Sequence, residues 1–233
     1  MGVAMTGSTL RRLTDDVWLD TEPVRIVGTR LTTTMAVLRL PGGEVVLWSP
    51  VPMTAARAAA VEAVGRVAHL YAPNTFHHLW LGEWAAAFPD ARVHAPAGLA
   101  RKRPDLRVDR VVGAAPEPAF AGVIDEVPIE GFRLGETALV HLATRTAVVA
   151  DLVHNIGRPE GTWTRLYAQA GGFYGRVALS RVIRWTAFSD RRAARRSVDA
   201  LLARPFERLV VAHGEPIEVD APMALSAAYA WLG

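Results

Sequence analysis

The chain has 233 residues, of which 51% are hydrophobic and 21% charged, enough to bury a substantial core and free of repeats or low-complexity tracts. Its formal charge of +3 is too small to create a strong whole-molecule field for nucleic acid or an anionic membrane. The absence of cysteine excludes disulfides, thiolate nucleophiles, cysteine-based zinc sites and iron-sulfur clusters, so any metal must be held by histidine and carboxylate.

The first residues, up to about position 15, lack a sustained apolar segment and read as a flexible N-terminus without a cleaved leader. Residues 24–49 are rich in β-branched side chains, and Pro41-Gly42-Gly43 supplies a turn, which predicts a hairpin or meander. A helix follows over 53–67 with Thr54 as its N-cap, then a buried strand closed by Pro73. Next come the loop Asn74 to His78, a helix over 79–88 and a strand over 91–96. Residues 138–155 read as a strand, a turn near Thr144 to Thr146, and an apolar strand that delivers Asp151 at its end. The aromatic stretch 162–188 reads as helical segments forming a wall or lid. Residues 189–203 make an amphipathic helix capped by Ser189, followed by a strand ending at His213 and a short C-terminal helix.

Three loops share one grammar: an apolar strand ends and is followed at once by His77-His78, by Asp151 or by His213. Strand ends on one edge of a layered fold converge, and three imidazoles with one carboxylate suit zinc, or iron or manganese with open positions. His154 is close enough to Asp151 in sequence to serve as a proton donor or as a partner of a ligand. His69, His94 and His141 lie within strand-like runs and read as structural. Glu83 and Trp84 pack a helix face. The basic runs 101–110 and Arg191, Arg192, Arg195 and Arg196 read as solvated faces rather than a phosphate track.

The order of an early meander, a histidine loop leading into "LGEW", the strand-borne Asp of "VVADLVHN" and a late "VAHGEP" resembles the metallo-β-lactamase superfamily over residues 24–220. The resemblance implies an α/β fold, a four-layer αββα sandwich formed as one domain over 1–233, holding one or two metals. Aligning the final histidine of the family pattern His-x-His-x-Asp-His with His78 sets Pro73 and Thr75 at the first two histidines and His77 at the aspartate. Phe132 stands where a further histidine of the family is expected. One metal position has thus lost its histidines, and the other would use His77, His78, Asp151 and His213.

The resemblance and the residues together lead to the expectation of a mononuclear metal-dependent hydrolase, with zinc as the first candidate ion, acting on a small ester, lactone or related compound, with Asp151 and His154 catalytic. The alternative is a chain that keeps the fold but has lost catalysis and serves as a ligand-binding or scaffold module. A small-molecule substrate, no nucleic acid, no membrane partner, a cytoplasmic location and room for a homodimer complete the expectations.

Overall fold

A computed structural model describes residues 10–159 and 161–232. Of the N-terminal stretch expected to be flexible, residues 1–9 lie outside the described residues, while Arg11–Arg12 form a short strand, β1, antiparallel to the next one.

Strands β2 (Val17–Ile26), β3 (Thr29–Arg39) and β4 (Glu44–Trp48) form the expected meander. Chain reversal at Pro41 to Gly43 puts two glycines at positive φ, where a side chain would be strained. Beyond β4 the sheet turns parallel. Helix α1 (Ala55–Glu62) crosses to β5 (Arg66–Tyr71), α2 (Leu81–Ala87) crosses to β6 (Arg92–Ala95), and α3 (Ala97–Lys102) leads to β7 (Arg110–Val111). Thr54 caps α1 as the sequence predicts, its hydroxyl accepting from the Arg57 amide. Helix α2 begins at Leu81, later than expected, because the residues before it are spent in the turn that carries the histidines.

A second, four-stranded sheet has the order β11-β10-β9-β8, made of β8 (Ile124–Pro128), β9 (Thr137–His141), β10 (Thr146–Val149) and β11 (Arg208–Val211). Between β10 and β11 run α4 (Thr162–Gly171), α5 (Arg181–Thr186) and α6 (Arg191–Leu202), and α7 (Ala221–Ala228) follows β11. The α6 cap is Asp190, not Ser189. Its carboxylate accepts from the Ala193 amide, whereas Ser189 bonds the Gly131 carbonyl.

Strand alternation creates three apolar layers. Ala36, Leu38, Val46 and Trp48 meet Leu139, Val148, Val210 and Ala212 between the sheets. Their neighbours Met35, Val37, Val45 and Leu47 face outward against Val61, Leu81, Trp84 and Leu99 of α1, α2 and α3. On the far side Val140, Ala147, Leu209 and Val211 pack against Val198 and Leu201 of α6 and Leu225 of α7. The sequence helix–sheet–sheet–helix is the expected αββα sandwich. No helix among the described residues is long and apolar enough to cross a membrane.

Candidate metal centre

β10 and β11 run parallel, so both end at the same edge and deliver Asp151 and His213 side by side. β4 and β5 are parallel too, and the chain leaving them supplies Ser49 and the loop from Ala72 to His78. The sheets join at this corner, where the Thr34 amide of β3 donates to the Ala212 carbonyl at 2.9 Å.

His77, Asp151 and His213 each turn one ligand atom inward, all within 4.8 Å of one another. Nε2 of His77 lies 3.5 Å from Asp151 Oδ2, and Nε2 of His213 lies 3.7 Å from Oδ1. Both separations exceed a good hydrogen bond and suit donor atoms grouped around a common ion. The outer ring nitrogens are engaged elsewhere. His213 donates Nδ1–H to the Thr32 carbonyl at 2.7 Å, and Ser49 Oγ lies 2.9 Å from Nδ1 of His77. Orienting an imidazole through its remote nitrogen leaves Nε2 available, an arrangement usual among metal-ligating histidines. Two imidazoles and a carboxylate with an open side therefore fit a divalent cation, zinc among them.

Asn74 organises the loop. Its Oδ1 accepts from the amides of Phe76 and His77, fixing the turn, and its Nδ2 donates to Asp151 at 2.9 Å and to Glu136 at 3.0 Å. The Glu136 carboxylate accepts from the Ala150 and Asp151 amides at 2.7 and 2.8 Å, which pins the end of β10. Burial, then the charge of Asp151, pushes Glu136 up to about 7, although the two amides and Asn74 act in the opposite direction. Burial would raise Asp151 as well, but the neighbouring His77, His213 and His154 win and hold it well below the carboxylate range. Burial opposes charge on His77, yet Asp151 and Glu136 outweigh it and leave its pKa raised. His213, shaped mainly by burial and then by His77, is lowered. Gly214 lets the chain turn after His213: at its φ of 105° a Cβ would sit 2.0 Å from the Asn155 carbonyl oxygen.

His78, expected as a ligand, does not join the group. Its Nδ1 lies 3.5 Å from the Arg103 guanidinium, its buried Nε2 has no hydrogen-bond partner among the described residues, and burial followed by Lys102 and Arg103 lowers its pKa. Adjacent residues in the Asn74 turn diverge, so only one of the two rings can point at Asp151, and that ring is His77. His154 packs edge-on against His213 at 5.4 Å and Phe173 at 5.5 Å, with its buried Nδ1 lacking a hydrogen-bond partner among the described residues. Burial, then the charge of His213, lowers it to about 3, so at neutral pH it is an uncharged ring beside the ligands. Pro73, Thr75 and Phe132, the positions that resemblance assigns to lost histidines, have other work. Pro73 accepts from the Thr137 amide, the Thr75 amide donates to Leu134, and Phe132 packs on Phe188 at 4.8 Å.

The group forms part of the lining of a cavity of about 510 Å³, whose walls include Val24, Ile26, Trp80, Tyr167 and Ile183. The expected aromatic wall is thus Tyr167 with α5. Ser49, Thr32, Asn74 and Glu136 were not singled out by sequence. Only Asn74, directly after a strand-closing proline, carries a local signal, that of a turn residue.

A second group, His69, His94 and Glu117, also lies within 4.8 Å but is closed. Arg110 donates to His94 Nδ1 at 3.3 Å, which obliges His94 Nε2 to donate to His69 Nδ1 at 3.0 Å, while Arg92 lies 3.0 Å from Glu117. These histidines are structural, as their place in strands predicts. Three cations of the run 101–110 are paired, as Arg103–Asp105, Arg107–Asp109 and Arg110–Glu126.

No protein-family model and no curated protein sequence matches the chain. Solved structures do. The metallo-β-lactamase from Pontibacter korlensis superposes with a TM-score of 0.65 at 14% identity, covering 97% of this chain and 98% of that one. DIM-1 metallo-β-lactamase gives 0.68 at 9% identity over 97% and 98%. FIM-1 from Pseudomonas aeruginosa, in its mono-zinc form, gives 0.64 at 12% identity over 96% and 95%. The chain has the metallo-β-lactamase fold.

Proposed function

We propose that the protein is a metal-dependent hydrolase in which one divalent ion, zinc first among the candidates, is held by His77, Asp151 and His213. The observation that carries this reading is the pair of Nε2 atoms converging on Asp151 while Ser49 and Thr32 hold the opposite ring nitrogens. A fold shared with metallo-β-lactamases, one of them described in a mono-zinc form, supports it.

A bound ion would supply Lewis-acid polarisation of a carbonyl and activation of water. The chain supplies the rest. Asp151, held well below the usual carboxylate range chiefly by His77, contributes the negative charge that imidazole ligands lack. Glu136 and Asn74 keep that carboxylate from rotating away. Tyr167, Ile183, Val24 and Ile26 offer an apolar wall that would orient a small ester, lactone or related molecule and limit entry of bulk water.

The test is metal analysis of untagged protein beside Asp151→Asn, together with turnover of an ester and lactone panel. About one equivalent in the wild type, lost in the variant with turnover, supports the reading. Protein that stays metal-free after incubation with zinc, iron and manganese overturns it and leaves a ligand-binding or scaffold module.

A further inference from the structure

We propose that the rim of this cavity is a membrane-docking surface that seats the site mouth on an anionic lipid bilayer. The small net charge argues against a whole-molecule attraction, but the rim concentrates both apolar and cationic groups. Val27, Phe76, Leu79, Trp163, Val182 and Trp185 are all exposed, Val27 by 70% and Trp185 by 71%. They share one face. Phe76, Leu79 and Val182 line the cavity beside Ile26, Trp163 donates its indole N–H to the Val27 carbonyl at 3.1 Å, and Trp185 lies one turn of α5 beyond Val182.

The hairpin tip is the telling part. The two-residue turn between β2 and β3 is Val27-Gly28, with φ of 51° and 75°. A turn with positive φ at both positions favours Asn-Gly, and a β-branched residue is strained there. Val27 gains no burial in exchange, so it serves neither the fold nor solubility. An apolar tip that inserts between lipid headgroups accounts for it.

The charges fit the same surface. Arg25 and Arg30 are exposed and sit directly opposite each other in register, an unfavourable like-charge pair unless something anionic covers it. Neither has an acidic partner among the described residues. Glu22, the nearest acid along β2, is held by Arg57. Arg165, between Trp163 and Leu166 on α4, is also exposed and without an acidic partner among the described residues. Lys102 lies over the Phe76 ring at 4.9 Å. Arginines and lysine interleaved with tryptophan and aliphatic side chains are what an anionic lipid interface attracts. A second copy is the poorer occupant, since a two-fold contact through this face would set arginine against arginine.

The inference builds on the reading of the cavity as a substrate site, but its test needs neither metal nor turnover, so the two can fail separately. Full-length protein is sedimented with phosphatidylcholine vesicles with and without phosphatidylglycerol, at low and at physiological salt. The expected result is binding that requires phosphatidylglycerol and weakens with salt. Arg25→Gln and Arg30→Gln should each lower affinity about fivefold, the value of one basic residue near such a surface. Val27→Asn separates docking from folding: it should raise the melting temperature while lowering vesicle affinity. No binding to the anionic vesicles overturns the proposal, as does binding that all three variants leave unchanged. So does a dimer in solution that Trp185→Ala dissociates in a protein that ignores lipid.

Discussion

The two groups of two histidines and one carboxylate are alike in composition and in the spacing of their donor atoms, yet they are built for different ends. Around His69, His94 and Glu117 each imidazole lone pair accepts a hydrogen bond, His94 Nδ1 from Arg110 and His69 Nδ1 from His94, and Arg92 lies 3.0 Å from Glu117. Around His77, Asp151 and His213 the hydrogen bonds are placed behind the rings, on Ser49 Oγ and the Thr32 carbonyl, and the front is left to a cavity. Ligand-type residues in proximity do not make a metal centre; the direction of their remaining hydrogen bonds decides.

The comparison can be broken most sharply by metal analysis. Asp151→Asn or His213→Ala should lower affinity for a divalent ion by more than about 100-fold, beyond the range of an outer-partner mutation, while His94→Gln should leave it unchanged. Equal losses at both groups would end the distinction. Next in size is Arg110→Ala, which leaves half-buried Glu126 with the Tyr71 hydroxyl but without the buried guanidinium that bonds it at 2.5 Å. Chemical denaturation should show a loss of about 3–5 kcal/mol, with metal content intact.

Acid should act on the closed group as well as on buried His154 beside the open one. Burial, then the charges of His69, Arg110 and Arg92, holds His94 at about 2, against 6.5 for an ordinary histidine. Between those values the unfolded chain binds a proton that the folded chain refuses. Stability should therefore fall as pH drops below about 6.5, by at most ~1.4 kcal/mol per pH unit from this residue, and His94→Gln should flatten that slope in thermal melts. Smaller effects belong to the open group's periphery. Ser49→Ala should weaken metal binding about 10- to 100-fold by freeing the His77 ring. His78→Ala should leave metal occupancy at the wild-type level, as measured by elemental analysis of the purified variants.

Much of the fold was legible because strand alternation and helix signals agree along the chain: Thr54 caps a helix, the apolar residues of β10 and β11 are buried on both faces, and the Gly pair turns the meander. The convergence of Asp151 and His213 was legible from strands ending in a ligand-type residue. The choice between His77 and His78 was not. Family spacing set a ligand at both positions, but the ring that points inward is set by Asn74 accepting two amides in the turn, which no periodicity reports. Glu136 was invisible for a similar reason: its partners are the backbone of Ala150 and Asp151, brought near only by the pairing of β9 with β10. The exposed Val27 sits in a segment whose composition says strand and whose register alone says tip.

The bond between His213 and the Thr32 carbonyl joins residues 181 positions apart, and the Thr34–Ala212 bond closes the same seam. Loop closure over such a length is among the costlier steps of assembly, and the centre has no existence before it. A nascent chain that has not yet released β11 from the ribosome has the cavity's apolar hairpin and the His77 turn but no second imidazole to complete the cluster. Assembly of the cluster is thereby deferred until β11 has been made, an order built into the chain itself rather than into any separate control.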